Sequence, residues 1–131
     1  MKKYFVDTNV ILRFLLQDNH LQCEEADKAF KKAKDGEIEI IICQSIIFEI
    51  AYVLEKYYET EKEEIVNMLG KIMNVPYLEI ENRSEFLKAI LKFNSSNIGL
   101  IDCFLAVKAQ LANAEVLSFD KDLKKHEEEK K

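Results

Sequence analysis

Short apolar runs alternate with longer stretches of helical periodicity along the chain. Residues 3–7 (Lys-Tyr-Phe-Val-Asp) have the pattern of a short buried strand. Residues 9–17 place Val10, Ile11, Phe14 and Leu15 at helical spacing. Over 20–34, Leu21, Ala26, Ala29, Phe30 and Ala33 form one stripe, and Gly36 stops that helix where left-handed geometry is cheap. Residues 37–42 (Glu-Ile-Glu-Ile-Ile-Ile) start in strict alternation and turn all apolar, a second strand. Ser45 is placed to cap a helix over 46–58. Thr60 and Glu63 have capping-box spacing for a helix over 61–73. Residues 76–80 read as a third strand, Ser84 opens a helix over 85–93, and 94–97 (Asn-Ser-Ser-Asn) read as a loop. A helix over 99–112 and a fourth strand over 115–119 (Glu-Val-Leu-Ser-Phe) complete the pattern.

Strands alternating with helices predict an α/β sandwich with a mostly parallel sheet covered by helices, ahead of an α+β or all-α arrangement. The 131 residues fit one domain over 1–131, with a polar Lys- and Glu-rich end over 121–131. Apolar residues make up 48% of the chain, enough to build a core.

Composition removes several chemistries. Three glycines, Gly36, Gly70 and Gly99, lie too far apart for a dinucleotide or Walker A loop. Two histidines, His20 and His126, leave no histidine-rich zinc site. Cys23, Cys43 and Cys103 have no C-x-x-C spacing and an odd count, so they are expected as thiols in a reducing cytoplasm. With no basic-then-apolar leader and no run of 18 apolar residues, a cytoplasmic protein with no membrane partner is expected. The formal net charge is −5, so any attraction to nucleic acid needs a metal ion or a local basic rim.

Most acids fall in Lys/Glu-rich segments that read as solvated faces; four do not. Asp7 ends the first strand and Asp120 ends the fourth. Ligands of open parallel sheets bind beyond the carboxyl ends of the strands. Each aspartate can equally cap the turn or helix that follows it. Glu49 interrupts the apolar run over 46–54, where a charge is costly unless paired, hydrated or bound to metal. Asp102 is the one charge within Gly99-Leu100-Ile101-Asp102-Cys103-Phe104-Leu105-Ala106, in an early helical turn that also suits an acid through the helix dipole. Were the four to converge, they would need cations. Hard oxygen donors with almost no histidine point to Mg²⁺ or Mn²⁺, ions suited to phosphodiester hydrolysis.

These residues resemble a known family. Asp7-Thr8-Asn9 before the apolar Val10-Ile11-Leu12-Arg13 looks like the opening of PIN-domain nucleases. Phe48-Glu49-Ile50-Ala51-Tyr52-Val53-Leu54 resembles their central acidic helix. Leu100-Ile101-Asp102-Cys103-Phe104-Leu105-Ala106 and Ser118-Phe119-Asp120-Lys121-Asp122-Leu123 resemble their third and last motifs. The resemblance implies a PIN-like sandwich, a short mostly parallel sheet of four or five strands flanked by helices. It also implies a divalent-metal-dependent ribonuclease. Asp7, Glu49, Asp102 and Asp120 would be catalytic and hold Mg²⁺ or Mn²⁺, steadied by Thr8, Asn9 and Ser118. The small size is similar to VapC-like toxins of toxin–antitoxin pairs, which implies a homodimer and a small antitoxin partner. One departure is Gly99, where many members carry a further acid three residues before the third-motif aspartate.

Arg13, Lys108 and Lys121 are the candidate RNA phosphate contacts, each also readable as a solvated charge. Lys28, Lys31, Lys32 and Lys34 form a basic helix face. Tyr52, Tyr57, Tyr58 and Phe93 are expected in the core ahead of a base-stacking role. Ile11, Leu15 and Leu16 are expected as an exposed apolar patch for an antitoxin or second subunit. The competing readings are a non-catalytic or RNA-processing PIN-like binding module and a phospho-receiver domain. The second lacks an acid at the end of its middle strand, Ile41-Ile42-Cys43-Gln44.

Overall fold

The computed structural model describes residues 1–119. The described chain divides into two compact units, Met1–Glu81 and a second that begins at Asn82.

The first unit runs β1 (Lys2–Phe5), α1 (Thr8–Leu16), α2 (His20–Lys34), β2 (Ile38–Ile42), α3 (Gln44–Lys56), α4 (Lys62–Met73) and β3 (Leu78–Ile80). The strands form a parallel sheet in the order β1-β2-β3. Tyr4 lies opposite Ile40, and Ile40 opposite Leu78. Ile40, Ile42, Leu78 and Ile80 are buried at alternate positions, as a sheet with a covered face requires. The helices bury stripes at helical spacing: Ile11 and Leu12; Cys23, Ala26, Phe30 and Ala33; Ile47, Ile50, Ala51 and Leu54; Ile65, Leu69, Ile72 and Met73. Phe14 and Phe30 join α1 to α2 with ring centroids 4.1 Å apart.

Helix ends show where local chemistry decides. Asn19 caps α2 by accepting from the Gln22 amide at 3.0 Å. At its other end Gly36 adopts φ 78°. The Gly36 N–H then donates to Ala33 O and the Glu37 N–H to Lys32 O, the paired bonds of a Schellman ending. The expected Ser45 cap is not used: α3 starts two residues earlier, at Gln44, with Cys43 at its cap position. The Thr60–Glu63 capping box is absent as well. The Thr60 amide bonds Leu54 O at 2.9 Å, closing the end of α3, and α4 begins at Lys62.

The second unit is a pair of helices, α5 (Arg83–Asn94) and α6 (Leu100–Leu111). Phe86 and Phe104 stack at 4.5 Å between centroids with planes tilted by 35°. Ala89, Ile90, Cys103, Ala106 and Val107 are buried beside them in sequence register. Gly99 caps α6 in extended geometry, φ −70° and ψ 165°.

The described sheet therefore has three strands. The fourth expected strand does not form: 114–118 carry no regular secondary structure, and Leu117 and Phe119 stand fully in solvent. A short run with good alternation becomes a strand only when a neighbouring strand supplies its ladder, and none of the described strands pairs with this one. No helix among the described residues is long and apolar enough to cross a membrane.

Candidate functional site

Asp7 stands just past the carboxyl end of β1. The Val6 amide still bonds Ile41 O at 3.1 Å, and the chain then turns into α1. Asp7 is the N-cap of that helix: its Oδ1 accepts from the Val10 amide at 3.1 Å. The capping role weighed from the sequence is thus real. It engages one carboxylate oxygen, and the side chain remains exposed. Thr8, next along, is 7% exposed, and its Oγ1 has no hydrogen-bond partner among the described residues. A buried hydroxyl without a partner is costly. Asn9 is exposed.

A hollow of about 490 Å³ opens beside Asp7. Tyr4, Phe5 and Val10 line it together with Lys28 and Lys32. Two members of the basic α2 face therefore share a concave surface with the strand-end aspartate. Glu25 lines the same hollow, so the two lysines face two carboxylates there.

Glu49 lies on α3, and its surroundings differ from the expectation. It is exposed, because a helix has two faces. Ile47, Ile50, Ala51 and Leu54 turn inward, while Glu49 and Tyr52 turn to solvent. Its charge carries no burial cost. Tyr52, Tyr57 and Tyr58 are likewise exposed, at 57%, 77% and 42%, so the expected core placement is corrected for all three. Phe93 is half-buried. Ile11 is buried at 1% and Leu15 and Leu16 are half-buried, so the expected exposed patch on α1 is absent.

Arg13 is not an open phosphate contact. Its guanidinium donates to Tyr58 Oη at 2.8 Å and pairs with Asp18 at 2.7 Å. The Tyr58 hydrogen bond, with Asp18 nearby, raises its pKa above the ordinary arginine value despite desolvation. Arg13 is a clasp that ties α1 to the end of α3.

In the second unit Asp102 occupies the first turn of α6, half-buried among the buried Leu100, Cys103 and Phe104. Its place in that turn suits the helix dipole. Gly99 precedes it by one turn, and a Cβ at Gly99 would meet nothing within 4 Å. Lys108 lies 3.8 Å from Glu85. Glu85 also accepts from the Ser84 hydroxyl at 2.6 Å. That hydrogen bond is the main reason its pKa lies below the usual 4.5, with its own backbone amide and Lys108 adding to the effect. A depressed carboxylate pKa stabilises the fold fully above the unfolded value, and the contribution is lost as pH falls through the folded value. Chemical denaturation from about pH 6 down to about pH 3 should therefore show a steeper acid loss in the wild type than in Glu85→Gln.

Ser118 is half-buried. Asp120 and Lys121 lie outside the described residues. Among the described residues, no group of three or more His, Cys, Asp or Glu side chains is gathered to hold a metal ion. The structure brings Asp7, Glu25, Lys28 and Lys32 to one hollow, with Thr8 next to Asp7 in the chain. Glu49 stands on α3 of the same unit, and Asp102 belongs to the second unit.

Sequence reasoning missed Glu81. It follows β3 as Asp7 follows β1, and its Oε1 accepts from the Gln44 amide at 2.8 Å. The signal was present: an acid at the end of an apolar strand, the same criterion that singled out Asp7.

The PIN domain family model matches residues 4–129. The chain belongs to the PIN domain family. It is also similar to a VapC ribonuclease of Aquifex aeolicus (strain VF5), 27% identical over 121 residues, which cover 92% of this chain and 89% of that protein. The family model spans every motif that carried the resemblance, from Asp7 to Asp120.

Proposed function

We propose that this PIN domain protein is an endoribonuclease that depends on Mg²⁺ or Mn²⁺, and the toxin of a toxin–antitoxin pair. The observation that carries the reading is the exit of β1. An exposed aspartate with one oxygen committed to a cap leaves the other open, beside a buried threonine hydroxyl with no partner among the described residues. Hard oxygen donors of this kind suit a hard divalent cation. Asp7 would hold the ion with Asp102 and Asp120, and Glu49 would complete the set directly or through water. Bound there, the ion supplies a more acidic water and neutralises charge on the phosphate. A water oxygen attacks phosphorus, the bond to the leaving ribose oxygen breaks, and the proton given up by the water ends on the leaving group or in solvent. Thr8 and Ser118 steady the acids. Lys28 and Lys32 draw the RNA backbone toward Asp7, a role for which they replace Arg13; Lys108 and Lys121 are further contacts. The similarity to a VapC ribonuclease supports a cytoplasmic homodimer held inactive by a small antitoxin protein.

Cleavage of a mixed RNA pool by the purified protein should occur with Mn²⁺ or Mg²⁺, stop in EDTA and return when the metal is restored in excess. Cleavage that persists in EDTA would overturn the metal dependence. Metal binding without cleavage of any RNA would favour the binding-module reading.

A further inference from the structure

The N-terminus of α3 has an unusual cap. Cys43 holds the cap position with extended geometry, φ −74° and ψ 152°, but its side chain makes no capping hydrogen bond. The first amides of a helix have no partner inside the helix and need one from outside. For Gln44, the first residue of α3, that partner is Glu81, 37 residues further along the chain. Glu81 grips the junction twice. Its backbone amide donates to Ile42 O at 3.0 Å, extending the β2–β3 ladder by one rung. Its Oε1 accepts from the Gln44 amide at 2.8 Å. The turn from β2 into α3 is thus fixed from both sides of one residue, and a carboxylate stands at the positive end of the helix. Glu49 sits on this helix, five residues beyond Gln44 on its exposed face.

We infer that Glu81 is a positioning residue: its carboxylate caps α3 from the end of β3 and thereby sets the helix that presents Glu49. The catalytic half of this inference rests on the nuclease reading above; the cap itself does not. Glu49 is exposed on α3, so the direction in which it points depends on how firmly the start of that helix is held. Ile47 and Ile50 anchor the buried face of the helix, at 0% exposure each. They fix its depth, whereas the Glu81 grip fixes the first turn.

Two variants separate the cap from the charge. Glu81→Ala removes the acceptor, and Glu81→Gln keeps an Oε1 acceptor without the charge. In amide hydrogen exchange, Glu81→Ala should speed exchange at Gln44 and its first-turn neighbours about fivefold, the size of a lost cap, and Glu81→Gln should restore protection. In Mn²⁺ titration calorimetry, Glu81→Ala should weaken binding several-fold and Glu81→Gln should not. In a Glu49→Gln background, Glu81→Ala should weaken Mn²⁺ binding no further, since its effect runs through Glu49. Unchanged exchange in Glu81→Ala overturns the cap. A Glu81→Gln variant as impaired as Glu81→Ala, or an undiminished Glu81→Ala effect in the Glu49→Gln background, overturns the positioning role. A wild type that takes up no Mn²⁺ defeats the nuclease reading and the catalytic half with it, while exchange at Gln44 still decides the cap.

Discussion

Asp7→Asn is expected to leave the protein folded and to lower metal-dependent RNA cleavage by about 100-fold or more. The two halves of that expectation come from different oxygens. Oδ1 accepts from the Val10 amide and starts α1. Asparagine caps helices as well as aspartate does, because its carbonyl oxygen accepts the same hydrogen bond. The substitution gives up only the charge at the helix start, about 0.3–1 kcal/mol at an exposed position. What it removes outright is an anionic ligand. A metal ion contributes several kcal/mol of charge stabilisation in phosphoryl chemistry, and about 3 kcal/mol corresponds to about 100-fold in rate. Asp7→Ala, by contrast, should lose the cap as well and cost about 1 kcal/mol of stability. Thermal unfolding and cleavage rates measured on both variants test the pair. Cleavage near the wild-type rate in Asp7→Asn would remove Asp7 from the chemistry, and equal destabilisation by Asn and Ala would remove it from the cap.

The place of Asp7 at the exit of β1 was legible in the sequence. An aspartate after a short apolar run is visible in one dimension, because both the strand and the turn it ends are local. The α2 stripe was equally legible, since periodicity and Gly36 are properties of adjacent residues, and the helix spans His20–Lys34 as the pattern indicates. Glu49 was singled out for the wrong reason. A charge inside a linear apolar run looks buried, yet winding the run at 3.6 residues per turn sends Ile47, Ile50 and Leu54 inward and Glu49 outward. Ser45 looked like a cap because the side chain that serves α3 comes from Glu81, at a separation no local pattern encodes. Arg13 looked like a phosphate contact for a similar reason: its partner Tyr58 is 45 residues away. The run over 115–119 has strand composition, but a strand is a relation between two segments, and composition describes only one.

The largest stability effect is expected at Phe86. Its side chain is fully buried, at 0% exposure, and its ring stacks on Phe104 at 4.5 Å. Phe104 lies two residues past Asp102 on α6, so this contact joins the helix that carries the acid to α5. Phe86→Ala removes both the transferred apolar surface and the stacked ring, and leaves a cavity that α5 and α6 can close only in part. The expected loss is about 3–5 kcal/mol, a large share of the total stability of a small protein. That corresponds to a fall in Tm of about 10 °C or more. Leu91→Ala on the same helix is the control: at 71% exposure it should change stability by no more than about 0.5 kcal/mol. Comparable losses in the two variants would mean that Phe86 does not organise the α5–α6 pair. A large loss confined to Phe86→Ala makes the support of Asp102 a matter of packing. Cleavage by that variant, assayed across its lowered Tm, should then fall with the folded fraction, while the dependence on Mn²⁺ concentration of the molecules that remain folded stays close to wild type. Asp7→Asn should show the opposite pattern, a normal Tm with lost metal dependence, so the two substitutions together separate what holds the site from what the site does.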